Sequence, residues 1–190
     1  MVKKYFKAIR VNNLVLLSLL FWGLMLHNYS EDFSFKVDHL LLFVSVIITT
    51  ASGYLINNYY DLNSDQINNK NIKDLSKTFY RNCYLLHLLS SLLILFISDL
   101  SPGWLNLVVI THVLVFLYSL KLQHLPIIGN LVVAFLCSVV LVIPYLLSGR
   151  FWELENFNLS ENLNQIFIIF CFLLTMKREI VKDMEDIQGD

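Results

Sequence analysis

Two short acid-rich segments contain the side chains of this 190-residue sequence that are best suited to bind a cation. The first segment carries an amide and two carboxylates at intervals of four residues: Asn57, Asp61 and Asp65. The second carries three carboxylates at intervals of three and four residues: Asp183, Asp186 and Asp190. On a helix each set lies along one face, where like charges repel one another unless a cation joins them. The spacing therefore predicts two cation-binding faces.

The donor atoms in both segments are oxygens, which favours a hard divalent cation, above all magnesium. Magnesium prefers carboxylates together with water and an anionic substrate, so two facing segments would hold ions whose remaining positions accept a diphosphate. Zinc is disfavoured because no His or Cys lies at ligand spacing near either segment. An isolated aspartate at a membrane boundary is more often a helix cap or a solvated group. Two sets of similar spacing, each continuing an apolar segment, favour cation binding instead.

Long apolar runs must position these segments. The chain is 56% hydrophobic and 15% charged, with a mean hydropathy of +0.61, which is too apolar for an ordinary soluble domain of this length. Charge-free runs that approach or exceed the roughly 20 residues of a membrane span occur at six places: 11–30, 39–60, 82–98, 100–120, 122–149 and 162–176. We therefore predict an all-α fold, a polytopic transmembrane bundle of about six spanning helices.

Two details refine this prediction. A short turn is expected at Gln123, His124 and Pro126, where the fourth and fifth runs meet. The sixth run is short for a span, and apolar residues on either side of it, 157–159 and 180–181, are expected to lengthen its helix.

Basic residues concentrate in alternate loops, and the intervening loops are acidic or poor in charge. The basic positions are Lys3, Lys4, Lys7, Arg10, Lys70, Lys73, Lys77, Arg81, Lys121, Lys177, Arg178 and Lys182. By the positive-inside rule this pattern predicts an integral membrane protein whose N-terminus and both acidic segments face the cytoplasm, with the cell's inner membrane as the expected location. The first apolar run has no Ala-x-Ala cleavage site, so we expect a retained helix and not a signal peptide.

Two cytoplasmic features allow two interpretations each. Lys121 would either contact a diphosphate or serve only as a positively charged membrane anchor. The polar segment 63–77 would either fold over the bound ligand or form an ordinary solvated connection.

Both acidic segments resemble motifs of the UbiA family, the intramembrane prenyltransferases. Residues 51–61 and 65–68 are similar to the family's first aspartate-rich motif, which reads broadly N-D-x-x-D-x-x-x-D. Residues 178–183 and 189–190 are similar to the second, in the wording of the geranylgeranylglycerol-phosphate geranylgeranyltransferase-like branch. Other stretches that resemble this branch are Ile9-Arg10 with Asn13, Tyr118-Ser119 with Lys121, and 125–130.

The resemblance implies a magnesium-dependent transfer of a prenyl group, geranylgeranyl in this branch, from a prenyl diphosphate to a lipid-soluble acceptor in lipid or quinone biosynthesis. It implies membrane lipids as surroundings, no nucleic-acid partner, and no particular oligomeric state or acceptor. The implied metal ligands are Asn57, Asp61, Asp65, Asp183, Asp186 and Asp190. Asp61 and Asp183 are the implied catalytic pair. The implied substrate-binding residues are Asn13, Lys121 and Arg178.

The sequence departs from the family pattern at several positions. The usual Asp of the first motif is Asn58, which removes one charge and keeps an oxygen donor. The basic residue that often follows the first motif is Gln66, and an expected basic pair is Gln123 and His124. These changes predict weaker diphosphate binding or a different acceptor.

The family fold is a bundle of nine helices, whereas this sequence stops at Asp190, inside the second motif. We therefore expect residues 1–190 to form a single UbiA-like membrane domain that lacks the C-terminal helices. The chain would be a fragment, a truncated gene product, or a protein that needs a partner.

Three functions are compatible with the sequence. The first is the prenyltransferase, and the second is a catalytically inactive membrane fragment that at most binds metal and diphosphate. The third is a small transporter or cation channel, which would place ionisable groups deep within its helices. Here the acidic segments lie at helix ends, so the third hypothesis ranks last.

Overall fold

The structure is a computed structural model that describes residues 1–28, 36–62, 75–125, 127–147 and 163–186. Every regular element in these ranges is helical, which confirms the predicted all-α class. The helices, in chain order, are α1 (Val2–Ala8), α2 (Val11–Asn28), α3 (Val37–Tyr60), α4 (Lys77–Ile97), α5 (Pro102–Leu120), α6 (Ile128–Leu147) and α7 (Leu163–Asp186).

Each of the six apolar runs overlaps one of the helices α2 to α7, but the count of six spanning helices is not confirmed. Among the described residues, α3, α4 and α5 are long and apolar enough to cross a membrane. Helices α1 and α2, bent by 58° to each other, add a fourth span if they are counted together. Pro144 interrupts α6, and charged residues fill the last turns of α7. Both helices therefore offer shorter apolar windows than their lengths suggest.

The sequence details are borne out where the structure describes them. Helix α7 continues through residues 180–181 to Asp186, as predicted, and residues 157–159 lie outside the described ranges. The expected turn between the fourth and fifth runs is a 3₁₀ helix, Leu122–His124. Pro126 lies outside the described residues.

Local chemistry explains several helix starts. The Ser76 hydroxyl accepts a hydrogen bond from the Phe79 amide at 3.1 Å and caps α4. Pro102 opens α5, where its missing N–H costs nothing. Between α1 and α2 the chain turns at Arg10, which has a φ of 52°. This left-handed conformation is uncommon for any residue other than glycine, asparagine or aspartate.

The core consists of two clusters of buried side chains. One joins the end of α1 and the start of α2 to the last half of α3 and the first half of α4: Ala8, Ile9, Leu14, Ala51, Leu55, Ile56, Tyr80 and Tyr84. The other joins the far ends of the helices: Phe21, Met25, Leu42, Val46, Leu95, Val108 and Ile143. The first cluster lies directly beneath the end of α3 that carries Asn57 and Asp61.

A buried histidine joins three helices in the interior. The ring nitrogen Nε2 of His112, on α5, lies 2.9 Å from the Ser91 hydroxyl of α4 and 3.4 Å from the Thr49 hydroxyl of α3. The Ser52 hydroxyl lies 3.4 Å from the other ring nitrogen, Nδ1. Hydroxyl and imidazole groups that pair across helices stabilise bundles in an apolar surrounding.

Helix α6 starts in close contact with the preceding turn. A Cβ added to Gly129 would lie 2.6 Å from the Leu122 carbonyl oxygen and 3.2 Å from the Gln123 Cα. Ile127, just before it, has a φ of 70°. Only glycine permits this approach, because the atoms in the way belong to the backbone.

The contact at Gly129 predicts a clear effect of substitution. Gly129→Ala should lower the thermal unfolding temperature in detergent micelles, because overpacking against backbone costs about 1–3 kcal/mol. Gly23→Ala is the matched control, since an added Cβ there meets nothing within 4 Å among the described residues. The control should leave the unfolding temperature unchanged or slightly higher, because alanine is the better helix former. Equal effects of the two substitutions would contradict the close approach.

Candidate active site

The end of α3 brings the first two residues of the first acidic segment together. The Asn57 side-chain amide donates a hydrogen bond to Asp61 Oδ2, and the Asp61 amide donates to the Asn57 carbonyl at 2.9 Å. Asp61 is the C-cap residue of α3, so its carboxylate follows directly from the helix end. The other amide atom, Asn57 Oδ1, is buried and has no hydrogen-bond partner among the described residues.

Asn58 has a different role from the one predicted. Its side chain is only 2% exposed, and its Nδ2 donates a hydrogen bond of 2.9 Å to the Ala8 carbonyl. An aspartate, the usual family residue, has no donor for this bond at neutral pH. Asn58 therefore fastens the end of α1 to α3, and its departure from the family pattern has a structural reason in this chain.

The second acidic segment is held by a residue from α6. Asn130 is buried, and its Nδ2 donates a hydrogen bond of 2.8 Å to Asp183 Oδ2 on α7. Because Asn130 follows Gly129, the close start of α6 sets the position of this amide. A hydrogen bond to a carboxylate is stronger than one between neutral groups, so it fixes the orientation of Asp183.

Tyr118 interacts electrostatically with residues of both acidic segments. This half-buried residue, near the end of α5, interacts electrostatically with the carboxylates of Glu179, Asp61 and Asp183 and with the guanidinium of Arg10. Asp61 lies at the end of α3, and Asp183 and Glu179 lie on α7. One phenol is therefore within electrostatic range of both predicted catalytic aspartates.

The remaining predicted ligands fall partly outside the described chain. Asp65 and Asp190 lie outside it, and Asp186 ends α7 with a side chain that is not described. Within the described residues no three His, Cys, Asp or Glu side chains form a group that could hold a metal ion. Lys121 is the C-cap residue of α5 and is exposed, which leaves both interpretations of it open.

The predicted substrate-binding residues Asn13 and Arg178 line one cleft beside this region. Asn13 Nδ2 donates a hydrogen bond of 3.3 Å to the Tyr54 hydroxyl of α3. The Arg10 guanidinium carbon lies 4.9 Å from the centre of the Tyr54 ring, a cation–π contact. Arg178 is exposed over 58% of its side chain, and its Nε lies 3.9 Å from the carboxylate of buried Glu179.

This cleft between α1, α2 and α7, here called the basic cleft, has a volume of about 630 Å³. The described residues that line it are Lys3, Phe6, Lys7, Arg10, Val11, Asn12, Asn13 and Arg178. Four of these side chains are cationic and none is acidic. An anion is the ligand that such a lining attracts.

The sequence interpretation gave no role to four residues that the structure places at or beside the site: Arg10, Tyr118, Asn130 and Glu179. Arg10, Tyr118 and Asn130 belong to stretches that resemble the family branch, so the resemblance carried a signal for them. Glu179 is a carboxylate next to Arg178 in the second motif, and its burial is visible only in the folded chain.

Comparison with known proteins decides the family. Residues 16–190 match the UbiA prenyltransferase family. The chain belongs to this family. Membership of this family agrees with the aspartates found at the ends of two apolar helices. It also means that the chain is an integral membrane protein.

Several relatives are similar over almost the whole chain, and each is a digeranylgeranylglyceryl phosphate synthase. The protein of Methanosphaera stadtmanae is 31% identical over 98% of this chain and 64% of its own length. That of Methanococcus maripaludis is 29% identical over 100% of this chain and 65% of its own. A solved structure from work on digeranylgeranylglyceryl phosphate synthase in membranes matches with a TM-score of 0.66 at 25% identity. This match covers 99% of the present chain and 64% of the chain in the solved structure. The present chain therefore spans about two thirds of the length of these relatives.

The oxygen donors at the end of α3 fit a magnesium ion. Asn57 Oδ1 is buried without a hydrogen-bond partner among the described residues, and Asp61 lies beside it on the same helix end. An amide oxygen and a carboxylate are ligands that magnesium accepts. A buried amide oxygen that accepts no hydrogen bond destabilises the folded state, because it has lost its bonds to water. A cation bound to Asn57 Oδ1 would remove this cost.

The hydrogen bond of Asn58 gives a prediction for Asn58→Asp. Restoring the family residue removes the donor to the Ala8 carbonyl and sets a carboxylate against it, which should cost about 1–3 kcal/mol or more. We expect a lower unfolding temperature and faster proteolysis of the first ten or so residues. Asn82→Asp is the matched control, because Asn82 is exposed and accepts from Arg81 through an oxygen that aspartate keeps. An Asn58→Asp protein as stable as this control would contradict the assigned role.

Proposed function

We propose that this protein transfers a prenyl group from a prenyl diphosphate to a lipid-soluble acceptor, with magnesium, at the site around Tyr118. The observation that carries the proposal is the electrostatic interaction of one phenol, Tyr118, with both Asp61 at the end of α3 and Asp183 on α7. Their membership of the two aspartate-rich motifs of a prenyltransferase family supports it.

Several residues would hold magnesium and the diphosphate. Asn57 and Asp61 would bind from α3 and Asp183 from α7, while Asp65, Asp186 and Asp190 complete the proposed ligand set. Magnesium, when bound, neutralises the negative charge that develops on the departing diphosphate. Lys121 would add a positive contact to the same group.

The reaction exchanges one carbon–oxygen bond for another. The bond from the allylic carbon to the diphosphate oxygen breaks, and its electron pair leaves with the diphosphate. The acceptor hydroxyl oxygen supplies the pair for the new ether bond, and its proton leaves with the released diphosphate. The chain's part is to hold the diphosphate still through the aspartates, with Asn130 keeping Asp183 oriented.

The acceptor in this proposal is a glyceryl phosphate lipid that already carries one geranylgeranyl chain. The relatives are named for a product with two such chains on a glyceryl phosphate. The site would open to the cytoplasmic side of the membrane, as the basic loops predict. The single-domain boundary at 1–190 and the inner-membrane location stay predictions.

The test is a transfer assay with the protein in membranes, labelled geranylgeranyl diphosphate, magnesium and a glyceryl phosphate lipid acceptor. Asp61→Asn and Asp183→Asn should each lower the rate by roughly 10²–10³, the usual loss when one contact to the developing charge is removed. Both substitutions keep an oxygen that accepts the hydrogen bonds from Asn57 and Asn130. Asp99→Asn is the matched control, because Asp99 is exposed and lies at the start of the connection to α5.

Transfer that is unaffected by either substitution would overturn the proposal. Binding of labelled prenyl diphosphate without any transfer would favour the alternative of an inactive fragment. The Asp99→Asn protein should retain the rate of the unchanged protein.

A further inference from the structure

We propose that the basic cleft binds the phosphomonoester headgroup of the lipid acceptor, separately from the diphosphate held by the two aspartate-bearing helix ends. This inference rests on the proposed function for the identity of the lipid. The binding site itself rests on the side chains that line the cleft.

The lining matches a phosphomonoester in charge and in hydrogen-bond donors. Lys3, Lys7, Arg10 and Arg178 supply four cationic groups, and none of the described lining residues is acidic. A phosphomonoester carries close to two negative charges near neutral pH and three acceptor oxygens. Guanidinium and ammonium groups donate to such oxygens with charge-assisted bonds. The cleft is large enough, at about 630 Å³, for a glyceryl phosphate and not only for a free ion.

The backbone at Arg10 gives an independent indication. Arg10 holds a φ of 52° at the break between α1 and α2, where glycine or asparagine would fit with less strain. Strained residues concentrate at ligand-binding positions, because the site needs that particular side chain there. The Arg10 guanidinium contacts the Tyr54 ring at 4.9 Å, and this contact holds it in the wall of the cleft.

The cleft adjoins the candidate active site. Arg10 interacts electrostatically with Tyr118, the phenol with which the Asp61 and Asp183 carboxylates also interact. Arg178, which also lines the cleft, precedes buried Glu179, and Glu179 interacts electrostatically with the same phenol. A lipid held by its phosphate in the cleft would therefore present its hydroxyl toward the region where the prenyl diphosphate is bound.

The cleft also has an apolar side suited to a lipid. Phe6 of α1 and Val11 of α2 line it and are partly exposed. A headgroup site that combines cations with apolar side chains at the edge of a membrane bundle fits a lipid phosphate better than a free phosphate ion.

Direct binding tests this site without requiring turnover. The protein is placed in phosphatidylcholine nanodiscs, and two probes are compared: a long-chain monoalkyl glycerol phosphate and the same lipid without its phosphate. The unchanged protein should bind the phosphate-bearing probe at least about tenfold more tightly, as one or more charge-assisted hydrogen bonds imply. Inorganic phosphate, added in the same concentration range, should not displace this probe.

Arg10→Asn is the informative variant, because asparagine tolerates the positive φ and the chain should stay folded. It should bind the phosphate-bearing probe about tenfold more weakly, with unchanged binding of the neutral probe and no lower unfolding temperature. Lys7→Gln should act in the same direction, and Lys4→Gln, on the same helix but not among the described lining residues, is the matched control.

In the transfer assay, Arg10→Asn should raise KM for the phosphate-bearing acceptor and leave KM for the prenyl diphosphate within about twofold. Phosphate-selective binding without any transfer by the unchanged protein would refute the proposed function and leave the headgroup site supported. Equal binding of the two probes, displacement by inorganic phosphate, or an Arg10→Asn effect on prenyl diphosphate alone would overturn the inference.

Discussion

Carboxylates at the edge of an apolar bundle repel one another, and this chain must still hold Asp61 and Asp183 in one neighbourhood. Each of the two receives a hydrogen bond from an asparagine, Asp61 from its own helix and Asp183 from α6. The guanidinium of Arg10 interacts electrostatically with Tyr118, the phenol with which both carboxylates also interact. The repulsion between the carboxylates favours a bound cation, because a cation between carboxylates lowers their electrostatic energy. The packing of α3, α5, α6 and α7 therefore serves to keep these few groups close.

The N-terminal helix belongs to the same arrangement. Asn58 binds the Ala8 carbonyl, so α1 is fastened to the helix that carries the first motif. The chain then turns at Arg10 and enters α2, and the turn brings three basic side chains of this region beside Arg178 of α7. The bond from Asn58 and the contacts of Arg10 and Asn13 with Tyr54 thus place the basic cleft beside the end of α3. Lys3, Lys7 and Arg10, which the sequence analysis used to predict membrane orientation, therefore also line the basic cleft.

Much of this fold could be predicted from composition, because a membrane requires apolar runs and helices satisfy their own backbone. The positions of the apolar runs predicted where α2 to α7 lie. Gln123 and His124 predicted the turn before α6. The spacing of the acids predicted a site at the ends of α3 and α7, and this site stays a prediction. The sequence could not show the break at Arg10, since no glycine or proline marks it. Nor could it show that Asn58 faces Ala8, or that Asn130 meets Asp183 from a residue 53 positions away, because these contacts are made only by tertiary packing.

The claim that Asp61 and Asp183 act as one site is tested most directly by a double-substitution cycle on metal affinity. Manganese, a spectroscopic substitute for magnesium, would be titrated by electron paramagnetic resonance in the presence of a non-reactive prenyl diphosphate analogue. The unchanged protein, Asp61→Asn, Asp183→Asn and the double variant would be compared. The account predicts strong coupling, so that the double variant loses much less affinity than the two single losses combined. Purely additive losses would contradict it, because they would mean that the two aspartates bind independently.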